Sequence, residues 1–303
     1  MKASGLKRAV HGIFLLDKPV GISSNAALQR VRRVFQAEKA GHTGSLDPLA
    51  SGLLPICFGR SSKLCGYLLD SDKRYVAQIR FGEKTSTGDA EGAVIARSDP
   101  TRLSRETLER ALPQFLGVIR QIPPMYSALK HQGQRLYQLA RQGIEVERQA
   151  RDITIHQLRL GDFTGGECEL DIRCSKGTYV RTLAEDIAAA VGQCAHLRAL
   201  KRIETGPFQA SSMYSMAQLE QAAFEGQAAL DRLLLDSAAA FAGWPSVAVG
   251  EVQAQRLRQG LSQQIAAAPR SVTLAVTDDG GRLLCIAEAD EAGTVSPKRW
   301  LAP

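Results

Sequence analysis

The first regular pattern along the chain is a short apolar run, Ile13-Phe14-Leu15-Leu16, bounded by Gly12 and by Asp17-Lys18-Pro19. Unbroken hydrophobicity over so few residues reads as a buried strand, and proline, which cannot donate a ladder hydrogen bond, marks its end. A helix is expected next. Ser23, Ser24 or Asn25 can cap it, Leu28, Val31, Val34 and Phe35 fall on one face, and Arg30, Arg32, Arg33 and Lys39 lie largely elsewhere. From Arg74 to Phe81 the period changes to two, which turns Tyr75, Ala77, Ile79 and Phe81 inward. Ser104 predicts a capped helix with Leu108, Leu112, Phe115 and Leu116 on its buried side and Gly117 at its end. Ile153, Ile155, Leu158 and Leu160 suggest a strand. Cys168, Leu170, Ile172 and Cys174 alternate with charged residues in another, and a helix carrying Leu183, Ile187 and Val191 follows.

Strands and helices interleave without a strict βαβ rhythm, which favours a mixed sheet with helices on its faces over a doubly wound parallel sheet. At Phe241-Ala242-Gly243-Trp244-Pro245 an Ala- and Leu-rich helical stretch gives way to short apolar runs. Beyond it, Val272, Leu274 and Val276 pair plausibly with Leu283, Cys285 and Ala287 across Asp278-Asp279-Gly280-Gly281. A chain of 303 residues exceeds the size at which a single core stops growing, so one large and one small domain are expected, divided at 1–243 and 244–303.

Composition adds a partner class. The formal charge of +7 suits a polyanion, although many basic proteins bind no nucleic acid. Lys130, His131, Arg135, Arg141, Arg148 and Arg151 interleave with Tyr126 and Tyr137 between Gln121 and Arg151, a mixture that suits RNA; the plainer reading is a polar excursion with a short helix from Leu136 to Gln142. The six scattered cysteines form no C-x-x-C pair and read as reduced core residues. No run approaches the ~20 apolar residues of a membrane span, so a cytoplasmic location is expected.

Candidate chemistry narrows by elimination and then by one loop. No phosphate-binding P-loop, dinucleotide-binding glycine motif, G-x-S-x-G elbow or H-E-x-x-H occurs, so no cofactor or metal is expected. Gly41 to Gly52 holds three glycines, His42 and Asp47-Pro48. Glycine permits positive φ and close approach, and Pro48 restricts Asp47 to extended conformations, which presents one carboxylate at a defined angle. Alone, such an Asp-Pro is more often a turn residue.

The wider pattern reverses that ranking. Gly41-His42-Thr43-Gly44-Ser45-Leu46-Asp47-Pro48-Leu49-Ala50-Ser51-Gly52-Leu53-Leu54-Pro55 resembles the signature of the TruB family, which forms pseudouridine in the T arm of tRNA. Four further blocks occur in family order: Leu15-Leu16-Asp17-Lys18-Pro19 with Gly21-Ile22-Ser23-Ser24; Asp72-Lys73-Arg74-Tyr75; Gln121-Ile122-Pro123-Pro124-Met125-Tyr126-Ser127-Ala128-Leu129-Lys130; and Ser175-Lys176-Gly177-Thr178-Tyr179-Val180-Arg181. They span about residues 11 to 205, and the bacterial stand-alone branch matches best.

The resemblance implies an α+β catalytic domain built on a mixed, mostly antiparallel sheet, with 121–151 as an insertion that closes on RNA, and a small β-rich C-terminal module of PUA type. It implies Asp47 as nucleophile, Arg181 as its charge partner and Tyr75 as the residue stacked on the target base. Tyr179 and Leu200 would line the uracil pocket, His42 would hold the T loop open, and Lys130 would act in the insertion. The expected partner is the tRNA T arm, with no membrane and no required protein partner for a monomer. Whether Asp47 attacks ribose, attacks the uracil ring or abstracts a proton stays open. The rival readings are a non-catalytic RNA-binding or tRNA-folding protein, a nucleoside glycosidase and a guide-RNA-directed relative; a pure binder would not need a carboxylate in such a loop.

Overall fold

The computed structural model describes residues 7–302, so both chain ends of the expected domains lie outside the described residues. A large sheet organises the chain. Its main path runs Gly12–Lys18, Ala50–Phe58, Ala195–Thr205, Lys73–Phe81, Glu167–Cys174, Arg151–Thr164 and Gly117–Gln121. Neighbours are antiparallel except Ala50–Phe58 against Ala195–Thr205, which run parallel. That is the mixed, mostly antiparallel sheet expected of an α+β domain.

Buried side chains gather against this sheet in separate clusters. Tyr75, Ala77, Ile79 and Phe81 pack with Leu170, Ile172, Leu183, Ile187 and Leu200 in one. Phe14, Leu16, Leu54, Ile56 and Phe58 pack with Ala27, Leu28, Val31 and Phe35 in another. The helix Ser24–Val34 is capped by Ser23, whose hydroxyl accepts from the Ala26 amide at 3.1 Å, one of the three caps the sequence offered.

Two local departures have clear causes. The helix after Ser104 spans Arg105–Ala111 and tightens into a 3₁₀ turn at Leu112–Phe115, because Pro113 lacks the amide hydrogen needed to continue it. The helical register therefore fails for Leu116, which is 44 % exposed rather than buried, and Gly117, at φ +81°, opens a strand. In Arg151–Thr164 the buried set passes from Ile153 and Ile155 to Leu158, out of phase with simple alternation. A register shift between Ile155 and Gln157 absorbs the change, as a bulge must when two residues oppose one.

The C-terminal residues form a second, five-stranded sheet ordered Ser246–Ala248, Val272–Thr277, Leu283–Ala289, Thr294–Trp300 and Gln263–Gln264. Val276 pairs with Cys285 and Leu274 with Ala287, as the alternation suggested. One side of this curled sheet, through Ala275, Leu283, Ile286 and Leu301, meets Ile13, Leu15, Leu53, Ala240 and Phe241. Among the described residues no helix is long and apolar enough to cross a membrane, and the six cysteines are free.

The parallel pair fixes where the conspicuous loop ends. Leu200 pairs with Ala50 and Arg202 with Gly52, while on its other side Arg202 pairs with Tyr75. Ala50, Leu200 and Ala77 therefore share one rung of the sheet, and Gly52, Arg202 and Tyr75 share the rung two residues along. Gly52 has φ +97°, and a Cβ there would overlap the Arg202 carbonyl oxygen and lie 2.9 Å from its amide nitrogen. Gly52→Ala should therefore lower stability in urea unfolding by more than about 2 kcal/mol. Ser51→Ala, at a neighbouring position with ordinary backbone geometry, should stay within about 0.5 kcal/mol of the parent.

Candidate active site

Asp47 is placed from several directions. Ser24, at the start of the first helix, exchanges two hydrogen bonds with Leu46: its hydroxyl accepts from the Leu46 amide at 2.7 Å and donates to the Leu46 carbonyl at 3.0 Å. The Leu46 side chain is buried in the main core. The Gly21 amide donates to the Pro48 carbonyl at 2.8 Å, and Ala50 closes a turn on the Asp47 carbonyl at 3.1 Å. On the far side, the buried Arg202 donates to the Gly44 carbonyl at 3.1 Å and to the Leu53 carbonyl at 2.7 Å. The residues flanking Asp47 are thus bonded on both sides, while its own side chain stays 45 % exposed.

Arg181 meets that carboxylate. It is the second residue of the helix Val180–Ala190, its side chain is only 6 % exposed, and its Nη2 is 2.9 Å from Asp47 Oδ2. The same guanidinium donates to the carbonyls of Thr87 at 2.8 Å and Tyr126 at 2.7 Å, and its Nε is 3.8 Å from Asp89 Oδ2. Asp89 is buried and accepts from the Thr87 hydroxyl at 2.5 Å and the Glu91 amide at 3.1 Å. A buried cation with two carboxylates and two carbonyls around it is well compensated.

The electrostatics follow from these contacts. Burial in the cleft pushes the Asp47 carboxyl above the usual aspartate value; Arg181 and Lys18 pull it down, and Asp89 adds to the upward push. Lys18 is fully buried, with Nζ donating to the Pro19 and Ile22 carbonyls at 2.8 and 2.7 Å. Burial lowers its pKa to about 8, while Asp47 and Glu91 hold it up. Tyr75 is pushed up by burial against the opposing charge of Arg202, so it stands as a neutral phenol. Tyr179 is likewise pushed up by burial, and His42 is pushed down by burial and Arg202, which keeps the imidazole neutral.

Most of the expected site residues thus converge. Asp47 and Arg181 touch, Tyr179 caps the helix two residues before Arg181, Tyr75 and Leu200 pack in the cluster that holds Leu46 and Ala50, and His42 occupies the same loop, its Nδ1 accepting from the Gly44 amide at 3.4 Å. Lys130 stands apart, exposed in a small hairpin pairing Lys130–His131 with Gln134–Arg135. Among the described residues no hydrogen bond or ion pair joins it to the cluster. Asp89, Lys18, Arg202 and Gln121 were absent from the residues expected at the site. Lys18 and Gln121 stood within recognised blocks, and Asp89 follows the glycine of Thr87-Gly88, a turn signal without a chemical one. Among the described residues no group of three or more His, Cys, Asp or Glu side chains is arranged to hold a metal ion.

Comparison with known proteins decides the family. The model of the TruB family pseudouridylate synthase N-terminal domain matches residues 32–180, that of the tRNA pseudouridylate synthase B C-terminal domain matches 181–242, and that of the pseudouridine synthase II TruB C-terminal region matches 245–301. The chain belongs to the TruB family. A tRNA pseudouridine synthase B of Nitrosococcus oceani is 50 % identical over 96 % of this chain and 95 % of its own length. One from Pseudomonas putida strain F1 is 48 % identical over 98 % and 97 %. Among solved structures, a chain of a Cbf5–Nop10–Gar1 complex superposes with TM-score 0.77 at 21 % identity, covering 97 % of this chain and 85 % of that one. A chain of the archaeal box H/ACA sRNP Nop10–Cbf5 complex gives 0.75 at 19 %, covering 97 % and 87 %. These two likenesses show a shared fold over 97 % of this chain.

The ion pair makes a titration prediction. Arg181→Met removes the nearest positive charge and a hydrogen bond from Asp47, and both act to lower its pKa. The carboxyl should titrate at higher pH than in the parent, so at any given acidic pH a smaller fraction is ionised. Carbon-13 NMR titration of labelled aspartate carboxyls checks this; an unmoved or lowered Asp47 value would mean that burial, not Arg181, sets its charge.

Proposed function

We propose that this TruB-family chain is a tRNA pseudouridine synthase that isomerises uridine 55 of the T loop, with Asp47 as nucleophile. The observation that carries this reading is the half-exposed Asp47 carboxylate, held 2.9 Å from the buried Arg181 beside an inward-facing tyrosine. The near-full-length likeness to proteins named tRNA pseudouridine synthase B supplies the substrate class. In this mechanism Asp47 bonds the ribose C1′ as the electron pair of the N1–C1′ bond passes to uracil. The freed ring rotates and forms the C5–C1′ bond, which expels the carboxylate, and the C5 proton is lost while N1 is protonated. Aspartate suits such a step because the carboxylate is both nucleophile and leaving group, and the isomerisation consumes no redox equivalent.

The remaining residues divide the work of holding a base outside its stack. Extraction costs a few kcal/mol, and stacking on a neutral Tyr75 returns roughly 1–3 kcal/mol of it. Tyr179 and Leu200 wall the uracil site, and neutral His42 stands beside the T loop without charge. Residues 121–151 close over the T arm through Lys130 and its basic neighbours. In this reading residues 1–243 are the catalytic domain and 244–303 a PUA-like RNA-binding domain, and the protein works in the cytoplasm as a monomer without a protein partner.

Incubation with an unmodified T-arm stem-loop and chemical mapping of pseudouridine tests the class directly; absence of product at the loop uridine refutes it. Asp47→Asn should bind the stem-loop normally yet lose more than about a thousandfold in turnover, and full activity in that variant rules out the nucleophile. Lys130→Ala should weaken RNA binding and lower the slope of log K against log salt by about one if its ammonium neutralises a phosphate.

A further inference from the structure

The geometry points to Gln121 as a positioning residue for the uracil-side tyrosine, acting through the backbone of Tyr179 rather than by touching RNA. Its side-chain amide mimics a strand partner. Gln121 Nε2 donates to the Tyr179 carbonyl at 3.1 Å, and the Tyr179 amide donates to Gln121 Oε1 at 2.8 Å. The side chain crosses 58 positions of sequence to do this, and the residue is 2 % exposed. A planar amide held at both ends in this way fixes one backbone orientation of its partner.

Tyr179 needs such a partner. It sits at the N-cap of the helix Val180–Ala190 in an extended conformation, with no side-chain cap there. The segment before it carries Gly177 at φ +81° and is otherwise tied by the Ser175 amide to the Thr154 carbonyl and by the Thr178 hydroxyl to the Ser175 carbonyl. Gln121 therefore sets the direction in which the Tyr179 ring leaves the backbone. Two residues later the same helix turn delivers Arg181 to Asp47.

Its place in the sheet gives Gln121 a second consequence. It ends the strand Gly117–Gln121 and pairs there with Arg151, so both roots of the basic insertion meet on its rung. The Tyr126 carbonyl, five residues further, takes a hydrogen bond from Arg181. The insertion is thus fastened to the site at two points: Gln121 on Tyr179, and Tyr126 on Arg181. When RNA draws on the insertion, Gln121 holds its root, and Tyr179 with it, in register with Asp47.

This inference rests on the proposed pseudouridine synthase reading, and the experiment separates the two. Gln121→Glu, which keeps the acceptor but loses the donor, and Gln121→Met, which loses both, are assayed on a T-arm stem-loop under single turnover, with RNA affinity and thermal unfolding measured in parallel. The rate of pseudouridine formation should fall at least tenfold in both, with affinity within threefold of the parent, because the pocket is misaligned while the phosphate contacts remain. In a Tyr179→Leu background, where there is no tyrosine ring to align, the same substitutions should cost less than threefold. A smaller loss in the first comparison, an equal loss in both backgrounds, or a loss confined to affinity overturns the assignment. If Gln121→Met does not fold, Gln121→Glu decides by the same criteria. A parent protein that forms no pseudouridine in this assay rejects the proposed function instead, and with it the role of Gln121.

Discussion

The interaction on which the site depends is the burial of the Arg181 guanidinium among four acceptors from three separate segments. Asp47 belongs to the loop before the Ala50–Phe58 strand, Thr87 and Asp89 to the turn after Glu83–Thr85, and Tyr126 to the insertion. An uncompensated guanidinium at this depth would cost several kcal/mol, so those segments must converge for the chain to fold at all. Placing the Asp47 carboxylate in this set makes its position a condition of the fold. The planar, multiply donating head of arginine can serve so many acceptors at once; a lysine would carry the charge without the fork.

A second buried cation works behind the loop. Arg202 serves the carbonyls of Gly44 and Leu53 and stands beside Tyr75 and His42. It opposes the upward push on the phenol and keeps the imidazole neutral, so the charge around the loop is concentrated in Asp47, Arg181 and Lys18. A neutral tyrosine offers an unbroken π-face for stacking, and a neutral histidine does not compete with Arg181 for the carboxylate. Gly52 permits this arrangement because only a residue without Cβ lets the backbone lie so close to that of Arg202.

What the sequence disclosed followed the range of the forces involved. Periods of two and 3.6 located the Lys73–Phe81 and Glu167–Cys174 strands and the first helix, and turned Tyr75 inward, because burial of alternate side chains is a local pattern with a direct imprint. Leu116 escaped because a single proline, Pro113, outweighed the apolar spacing around it, and the phase change after Ile155 records a bulge that alternation cannot anticipate. Asp47 stood out through its glycines and Pro48, but its meeting with Arg181 spans 134 positions, and only the ordered family blocks suggested it. Asp89 followed only a turn signal and Gln121 only headed a family block, neither with a chemical trace: a buried carboxylate or amide becomes legible only once the partner brought to it by the fold is known.

The segment 121–151 is built more loosely than the cluster it borders. Between its roots, 121–151 contributes few buried side chains, among them Leu136 and Leu139, and its regular structure is limited to two-residue strands and the helix Leu136–Arg141. Little buried apolar area means that little stability is lost when this segment is reshaped. Its charged and aromatic groups, such as Arg141 lying 5.7 Å over the Tyr137 ring, can therefore be rearranged at small cost. The roots are different. The buried Gln121 side chain is locked to the Tyr179 backbone, and the Tyr126 carbonyl accepts from the buried Arg181 side chain. The two roots of this segment are thereby fixed to the two residues at the start of one helix, Tyr179 and Arg181, the second of which holds the Asp47 carboxylate.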